Sequence, residues 1–446
     1  MSSSGNFFSR RFIEVRAHEA KATIVSFLFL FVLMASYYVM HPSRDAIASE
    51  WGDAEVSLLW TISFALSFVV VILYGYVISN VKFRYALPAV YGFFAASFLL
   101  FYLYFHFFSS DRALVDKVFY VWLSVFSLFH VSVFWSFMAD IFSKGQAKRL
   151  FDAIAAGASA GALVGPAIPT LLAPNLGTDT LILLAAVMLI VPVFMVMYLN
   201  RLKHTELHND NVHADLSQMK IGGGSFAGFK LFLANPYLLG IAAFIFLYTG
   251  IDSFVYFEQK NLLAVYDRTT RTQILGGIDW ITNILTFGLA FFASGRMVHK
   301  AGMGLTLASL PLLTMVSFLA LAFAPMVWVL VVLQVARRSG NYSVVRPARE
   351  MLFTEVDRES RFKAKPVIDI VVYRGGNMLS GWLFAGLTTG LGLGMVSMAL
   401  VGAVIAAGWC ACGLLLGKRF EASSQAQTEP QTINQELLEE QVHNQV

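Results

Sequence analysis

The chain has 446 residues, of which 57% are apolar and 13% charged, with a mean hydropathy of +0.66 and a net charge of +4. A soluble domain carries about 25% charged residues, so this composition excludes one. Apolar stretches of about 18 residues or more recur along the whole length and define a polytopic, all-α integral membrane protein. The only two cysteines, Cys410 and Cys412, share one apolar run and lie too close together to staple distant segments.

In chain order, Met1–Ala20 shows no cleavable signal peptide. Its segment Asn6–Ala20 mixes Phe7, Phe8, Phe12 and Ile13 with Arg10, Arg11 and Arg16, the pattern of a helix lying in the interface. Six spans are predicted near Ala22–Ala48, Val56–Ser79, Tyr85–Phe108, Val118–Phe142, Phe151–Leu172 and Thr180–Leu199. A polar segment follows, with six histidines and acids between His204 and Asp215 and then a Gly-rich run. A second interfacial helix is expected at Ser225–Ala234. Six more spans are predicted near Pro236–Phe257, Thr272–Ser294, Gly302–Phe323, Met326–Val345, Pro366–Leu387 and Gly394–Leu416.

This gives an interfacial segment at 1–21, a six-helix half at 22–200, a linker at 201–235, a second half at 236–417 and a tail at 418–446. The tail, Glu- and Gln-rich from Phe420 on, is expected to lack fixed structure apart from a short helix at Ile433–Val442. Twelve spans in a 6+6 pseudo-symmetric arrangement are the layout of a transporter built from repeats. With the N-terminus placed inside, inward segments hold 23 Lys and Arg and outward segments hold 6. That imbalance places both termini in the cytoplasm.

Charge inside a span is costly, and intramembrane ionisable groups are functional candidates by default. Arg44 and Asp45 close the first span; they either face a cavity, with Arg44 gripping an anion, or end the helix at the headgroups. In the tenth span Arg337 and Arg338 are adjacent. Arg338, Tyr342, Val345 and Arg349 recur at helical spacing and would form one basic face with a ring, suited to an anionic ligand or to capping neighbouring carboxylates. Arg374 and Asp369 lie in span eleven, Asp279 in span eight and Asp252 in span seven. The four aspartates can pair with arginines or couple protons. His41, His106 and His130 lack metal-ligand spacing and read as packed core or interfacial histidines. Gly157, Gly161 and Gly165 repeat every fourth residue and permit close helix approach. There is no phosphate-cradling loop and no nucleophile motif, so an enzyme is not expected; no metal or cofactor is expected either.

Four segments together carry a resemblance. They are SYYVMHPSRDAI (Ser36–Ile47), FWSFMADIFSKGQAKRLF (Phe134–Phe151), NYSVVRPAREMLF (Asn341–Phe353) and KAKPVIDIVVYRGG (Lys363–Gly376). The chain resembles the ATP/ADP translocase (NTP/NDP exchange transporter) family and its bacterial major-facilitator relatives. Gly295-Arg296 with Lys300 and Gly302 likewise resembles the loop between the second and third spans of a major-facilitator half. The resemblance implies a twelve-helix, alternating-access secondary transporter, with Arg44 at the position of an important lysine, and with Arg349, Glu350, Arg374 and Gly376 at further matching positions. Unlike the nucleotide exchangers, Val118–Ala139 contains no acidic residue.

The expected function is transport of an organic anion, a nucleotide or other phosphorylated metabolite. The expected contacts are Arg44, Arg338, Tyr342, Arg349 and Arg374, with Asp45, Asp252, Asp279 and Asp369 pairing or coupling. The alternatives are a permease of an amino acid, siderophore or drug, and a non-transporting receptor or scaffold. The expected setting is a monomer in the bacterial inner membrane, with a lipid bilayer around it and no nucleic-acid partner.

Overall fold

A computed structural model describes residues 15–80, 83–108, 112–209, 232–290, 294–356 and 367–443. The interfacial helix expected at Asn6–Ala20 and the one at Ser225–Ala234 lie largely outside them. The described residues form helices and turns, with no strand among them.

Among the described residues twelve long helical segments follow one another. The first six are α1 (Ala20–Ala48), α2 (Asp53–Asn80), α3 (Phe83–Phe107), α4 (Ala113–Ile141), α5 (Lys144–Val164) continued by α6 (Ala167–Leu176), and α7 (Thr178–Thr205). The second six are α8 (Pro236–Leu263), α9 (Arg268–Ala290), α10 (Ser294–Phe323), α11 (Val327–Gly340) continued by α12 (Arg346–Leu352), α13 (Tyr373–Ala385) and α14 (Met395–His443). Among the described residues, eight helices are individually long and apolar enough to cross a membrane. The segments outside that set include those carrying Asp279, Arg337 with Arg338, and Arg374. α11 and α13 are 14 and 13 residues long because π-helical turns at Asn341–Val345, Val367–Val372 and Gly386–Gly390 interrupt their spans.

By packing, Met1–Lys220 with Leu263–Asn283 form one compact unit, and Ile221–Leu262 with Ile284–Val446 a second. In the first unit the Gly stripe acts as its spacing predicts. Lipid tails are as apolar as leucine, so helices associate through close packing rather than through loss of water contact. A Cβ at Gly157 or Gly161 would collide with the carbonyl oxygens of Phe27 and Phe31, and one at Gly165 would lie 2.8 Å from Tyr38 Cβ. The backbones of α1 and α5 therefore touch. α5 starts seven residues earlier than predicted because Ser143 and Gln146 form a reciprocal capping box. An aromatic core of Phe94, Phe98, Phe119 and Phe126 joins α3 to α4. At one end of α1, Arg149 donates to both Glu19 carboxylate oxygens at 3.1 and 2.7 Å. Burial alone would raise the Glu19 carboxyl, but the Arg149 hydrogen bonds and the Arg16 backbone N–H outweigh it and hold it below the ordinary carboxylate range.

In the second unit α10 packs along α14, and a Cβ at Gly417 would collide with Gly304 of α10. Gly302, at φ +80°, breaks α10 near its start, a conformation that favours glycine. α14 runs on through His443, so the tail from Phe420, expected to lack fixed structure apart from a short helix at Ile433–Val442, continues the last span as helix. Residues that extend an existing helix incur no new nucleation cost, and Ala, Gln, Glu and Leu in this stretch have good helix propensity.

Candidate functional site

In the first unit α1 places His41, Arg44 and Asp45 three and four residues apart, hence on one face. Arg44 NH2 and Nε lie 2.8 and 2.9 Å from Asp45 Oδ1, and NH1 reaches Ser124 Oγ at 3.3 Å. The guanidinium carbon stands 4.7 Å from the centre of the Tyr120 ring, a cation–π placement. Tyr120 is fixed in turn by the indole N–H of Trp60, which donates to its hydroxyl at 2.7 Å. Arg44 is therefore held, only 14% exposed, between a carboxylate and a ring.

His41 lies between two carboxylates. Its Nδ1 is 2.8 Å from Asp279 Oδ2 on α9, and its Nε2 is 3.6 Å from Asp45 Oδ2. Its ring contacts those of Tyr37 and Tyr38, and Tyr37 stacks on His130 with centroids 4.9 Å apart. The sequence reading of His41 as a packed histidine therefore missed two acidic partners. Asp279 lies 238 positions away in sequence, so no local spacing signals that pair.

Where α9 begins, Arg268 bridges Glu50 at 2.6 Å and Asp116 at 2.9 Å. Arg271 donates to the backbone oxygens of Leu263 and Ala264 at 3.0 and 2.7 Å and lies 3.5 Å from Glu50. These charges sit at the end that the loop count places outside.

In the second unit the deepest cation is Arg337, 1% exposed, paired at 2.7 Å with Asp252 of α8. Its NH2 donates to Gln334 Oε1 at 2.7 Å, and Gln334 donates to Gln259 at 2.5 Å. One turn on, Asn341 donates to the Tyr248 hydroxyl at 3.1 Å. Tyr248, Asp252 and Gln259 of α8 thus face Gln334, Arg337 and Asn341 of the α11 segment. Sequence reasoning picked Arg338 and passed over Arg337. Adjacent helical residues point about 100° apart, so the two cannot share a face. The overlooked signal is the polar stripe Gln334, Arg337, Asn341 at i, i+3, i+7, matched by the stripe on α8.

Of the other second-unit candidates, Arg338 and Tyr342 lie within electrostatic reach of Tyr248. Arg338 and Arg374 are half-buried, and Tyr342 is 39% exposed with the Arg346 guanidinium 6.0 Å from its ring. Arg349 donates to Glu350 at 3.3 Å. The continuous α-helical face expected for Arg338, Tyr342, Val345 and Arg349 is interrupted by the π turn at Asn341–Val345. A π turn takes more residues per revolution, so residues beyond it rotate out of register, and Val345 is buried while Tyr342 is not. The Asp369 side chain lies outside the described residues; its backbone belongs to the π turn that leads into Arg374. Among the described residues, no group of three or more His, Cys, Asp or Glu side chains is placed to hold a metal ion.

Stacked apolar helices with charged side chains paired inside them define a multi-pass membrane protein. The chain belongs to the Major Facilitator Superfamily, whose family model matches residues 15–353. It is a secondary transporter. The chain is also 23% identical to ADP,ATP carrier protein 1 of Chlamydia muridarum, over 93% of its own length and 91% of that protein. Identity to the protein of the same name from Chlamydia trachomatis serovar D is 23%, over 70% and 66%. Among solved structures, the nucleoside transporter NupG matches with a TM-score of 0.60 at 12% identity, covering 92% of this chain and 99% of that one. A bacterial homologue of the human lysosomal transporter Spinster matches with a TM-score of 0.56 at 12% identity, over 92% and 98%. At that identity these two matches speak for the fold alone.

Proposed function

We propose that this transporter carries an organic anion, a nucleotide or another phosphorylated metabolite, by alternating access. The observation that carries the reading is Arg44. An arginine held by a neighbouring carboxylate over an aromatic ring has a partner that an incoming anion can replace. The exchange works only if the anion binds one state better than the other, because a ligand shifts a conformational equilibrium only by its differential affinity. The similarity to proteins named ADP,ATP carriers supports a nucleotide as the first anion to try. Arg338, Tyr342, Arg349 and Arg374 of the second unit are proposed as further substrate contacts. Asp45, Asp252, Asp279 and Asp369 are proposed as the internal partners that balance the arginines when no substrate is bound. The setting that fits best is a monomer in the bacterial inner membrane with cytoplasmic termini.

One observation favours a second reading. Arg44 and Arg337 are both matched by carboxylates within their own units, as they would be if they served as gates for a neutral or zwitterionic solute. Uptake by proteoliposomes of labelled ADP, ATP and glucose 6-phosphate, with a nucleoside and an amino acid beside them, separates the two. The anion reading predicts uptake of at least one phosphorylated solute, lost in both Arg44→Ala and Arg374→Ala while folded protein remains in the vesicles. Uptake of the nucleoside or amino acid alone would select the second reading.

A further inference from the structure

The two members of the second unit's ion pair are not equally buried. Arg337 is 1% exposed, but the Asp252 side chain is 33% exposed. Asp252 lies about three turns, roughly 16 Å, from Leu263, where α8 ends. That depth is well inside an apolar span. A carboxylate open at such a depth faces water or protein, because contact with lipid costs too much. Asp252 Oδ1 meets Arg337 NH1 at 2.7 Å, and among the described residues no donor reaches Oδ2.

Arg337 offsets the charge of Asp252, so the pair offers acceptor lone pairs without adding a net negative charge. A carboxylate in that state suits a neutral donor, a hydroxyl or an amine, on a solute that is anionic elsewhere. Its place is fixed from behind. Arg337 donates to Gln334, which donates to Gln259 of α8. Tyr248, one turn before Asp252, is buried and accepts a hydrogen bond from Asn341. The Tyr248 ring stands 6.3 Å from that of Tyr373. Both tyrosines lie within electrostatic reach of Asp252 and of Tyr342, and Tyr342 is 39% exposed. An open acceptor and an open ring thus flank the same two tyrosines.

We propose that Asp252 determines specificity: its exposed oxygen accepts hydrogen bonds from a neutral donor of the solute, either sugar hydroxyls or a base amine, with the Tyr342 ring beside it. The inference rests on the anion-carrier reading and narrows its substrate class. Phosphorylated solutes that carry a ring and such donors are taken ahead of inorganic phosphate or pyrophosphate. A site built to hydrogen-bond a donor discriminates against analogues that lack it, because its own polar group is then left without a partner.

Competition against labelled ADP uptake in proteoliposomes tests this. The competitors are ADP, 2′,3′-dideoxy-ADP, which lacks the sugar hydroxyls, and purine riboside diphosphate, which lacks the base amine. The wild type is expected to bind one of the two analogues at least about ten-fold more weakly than ADP, and which one it is names the donor. Asp252→Asn is expected to bring that ratio near one. The ratio compares two ligands on the same protein, so a merely structural defect leaves it unchanged. A wild type that takes both analogues as well as ADP overturns the proposal, as does an Asp252→Asn variant that keeps the full ratio. If adenosine moves and ADP does not, the anion reading fails, and the same analogues without phosphate still decide the role of Asp252. If neither moves, exposure decides. With Cys410 and Cys412 replaced by serine, Asp252→Cys paired with Arg337→Met is expected to react with a charged methanethiosulfonate reagent, which needs water at the thiol. A folded variant that stays unreactive overturns the proposal.

Discussion

The two charged clusters solve the same problem differently. In the second unit a fully buried arginine, Arg337, pairs with Asp252, donates to Gln334 and stands within electrostatic reach of Tyr248 and Arg338. In the first unit Asp45 is shared between Arg44 and His41, and His41 also reaches Asp279. The first arrangement is a fixed pair whose loss strands a charge. The second is an exchangeable set whose members can trade partners. Transport needs both, a rigid helix pair and a site that changes its bonding at little cost.

Breaking the fixed pair is expected to have the largest effect. Asp252→Ala leaves Arg337 buried without its anion, at a cost of about 3–5 kcal/mol. The double variant Asp252→Leu with Arg337→Met should recover most of that, because it removes the stranded buried charge along with its partner. Melting of the detergent-purified protein reads both, and a double variant no more stable than Asp252→Ala would contradict the fixed-pair account. The exchangeable set should suffer less. Asp279→Asn removes one charged partner of His41, worth about 1.5–3 kcal/mol, but leaves Asp45 to compensate. A loss equal to that of Asp252→Ala would erase the distinction between the clusters. Smaller again is Tyr120→Phe, which keeps the ring under Arg44 and removes the hydroxyl that accepts from Trp60, worth about 1 kcal/mol. Its melting temperature should fall slightly while solute binding persists.

The smallest effect lies outside both clusters and depends on pH. The Glu19 carboxyl is held low in the folded protein, so its pair with Arg149 contributes stability that is intact above the ordinary carboxylate value of about pH 4.3. That contribution is lost as pH falls through the lower folded value. Glu19→Gln should therefore lower the melting temperature at neutral pH, where the pair is intact, and change it little in strong acid, so that the acid side of the profile flattens.

What the sequence made legible was what is local or periodic. The twelve helical segments followed from apolar length, and the Gly157–Gly161–Gly165 stripe announced the close approach of α5 to α1. Arg44 and Asp45 were visible because charge at the end of an apolar run stands out. Three features were not legible. The partners of His41 and Arg337 come from α9 and α8, and one sequence without contacts cannot pair residues that far apart. The π turn at Asn341–Val345 has no strong composition signal, so an α-helical spacing was carried straight through it. Arg337 was passed over because the test applied was spacing to Tyr342 and Arg349, which picks out Arg338. The polar stripe from Gln334 through Arg337 to Asn341 pointed to the buried side.

The central claim is that Arg44 is where an anionic solute binds. The most direct test is the melting temperature of purified wild type and Arg44→Ala with saturating ADP. A ligand present at 100 times its dissociation constant stabilises the folded state by about 2.7 kcal/mol. The account predicts a clear upward shift for the wild type and none for a folded Arg44→Ala variant. An undiminished shift in Arg44→Ala would contradict it and move the anion site away from α1.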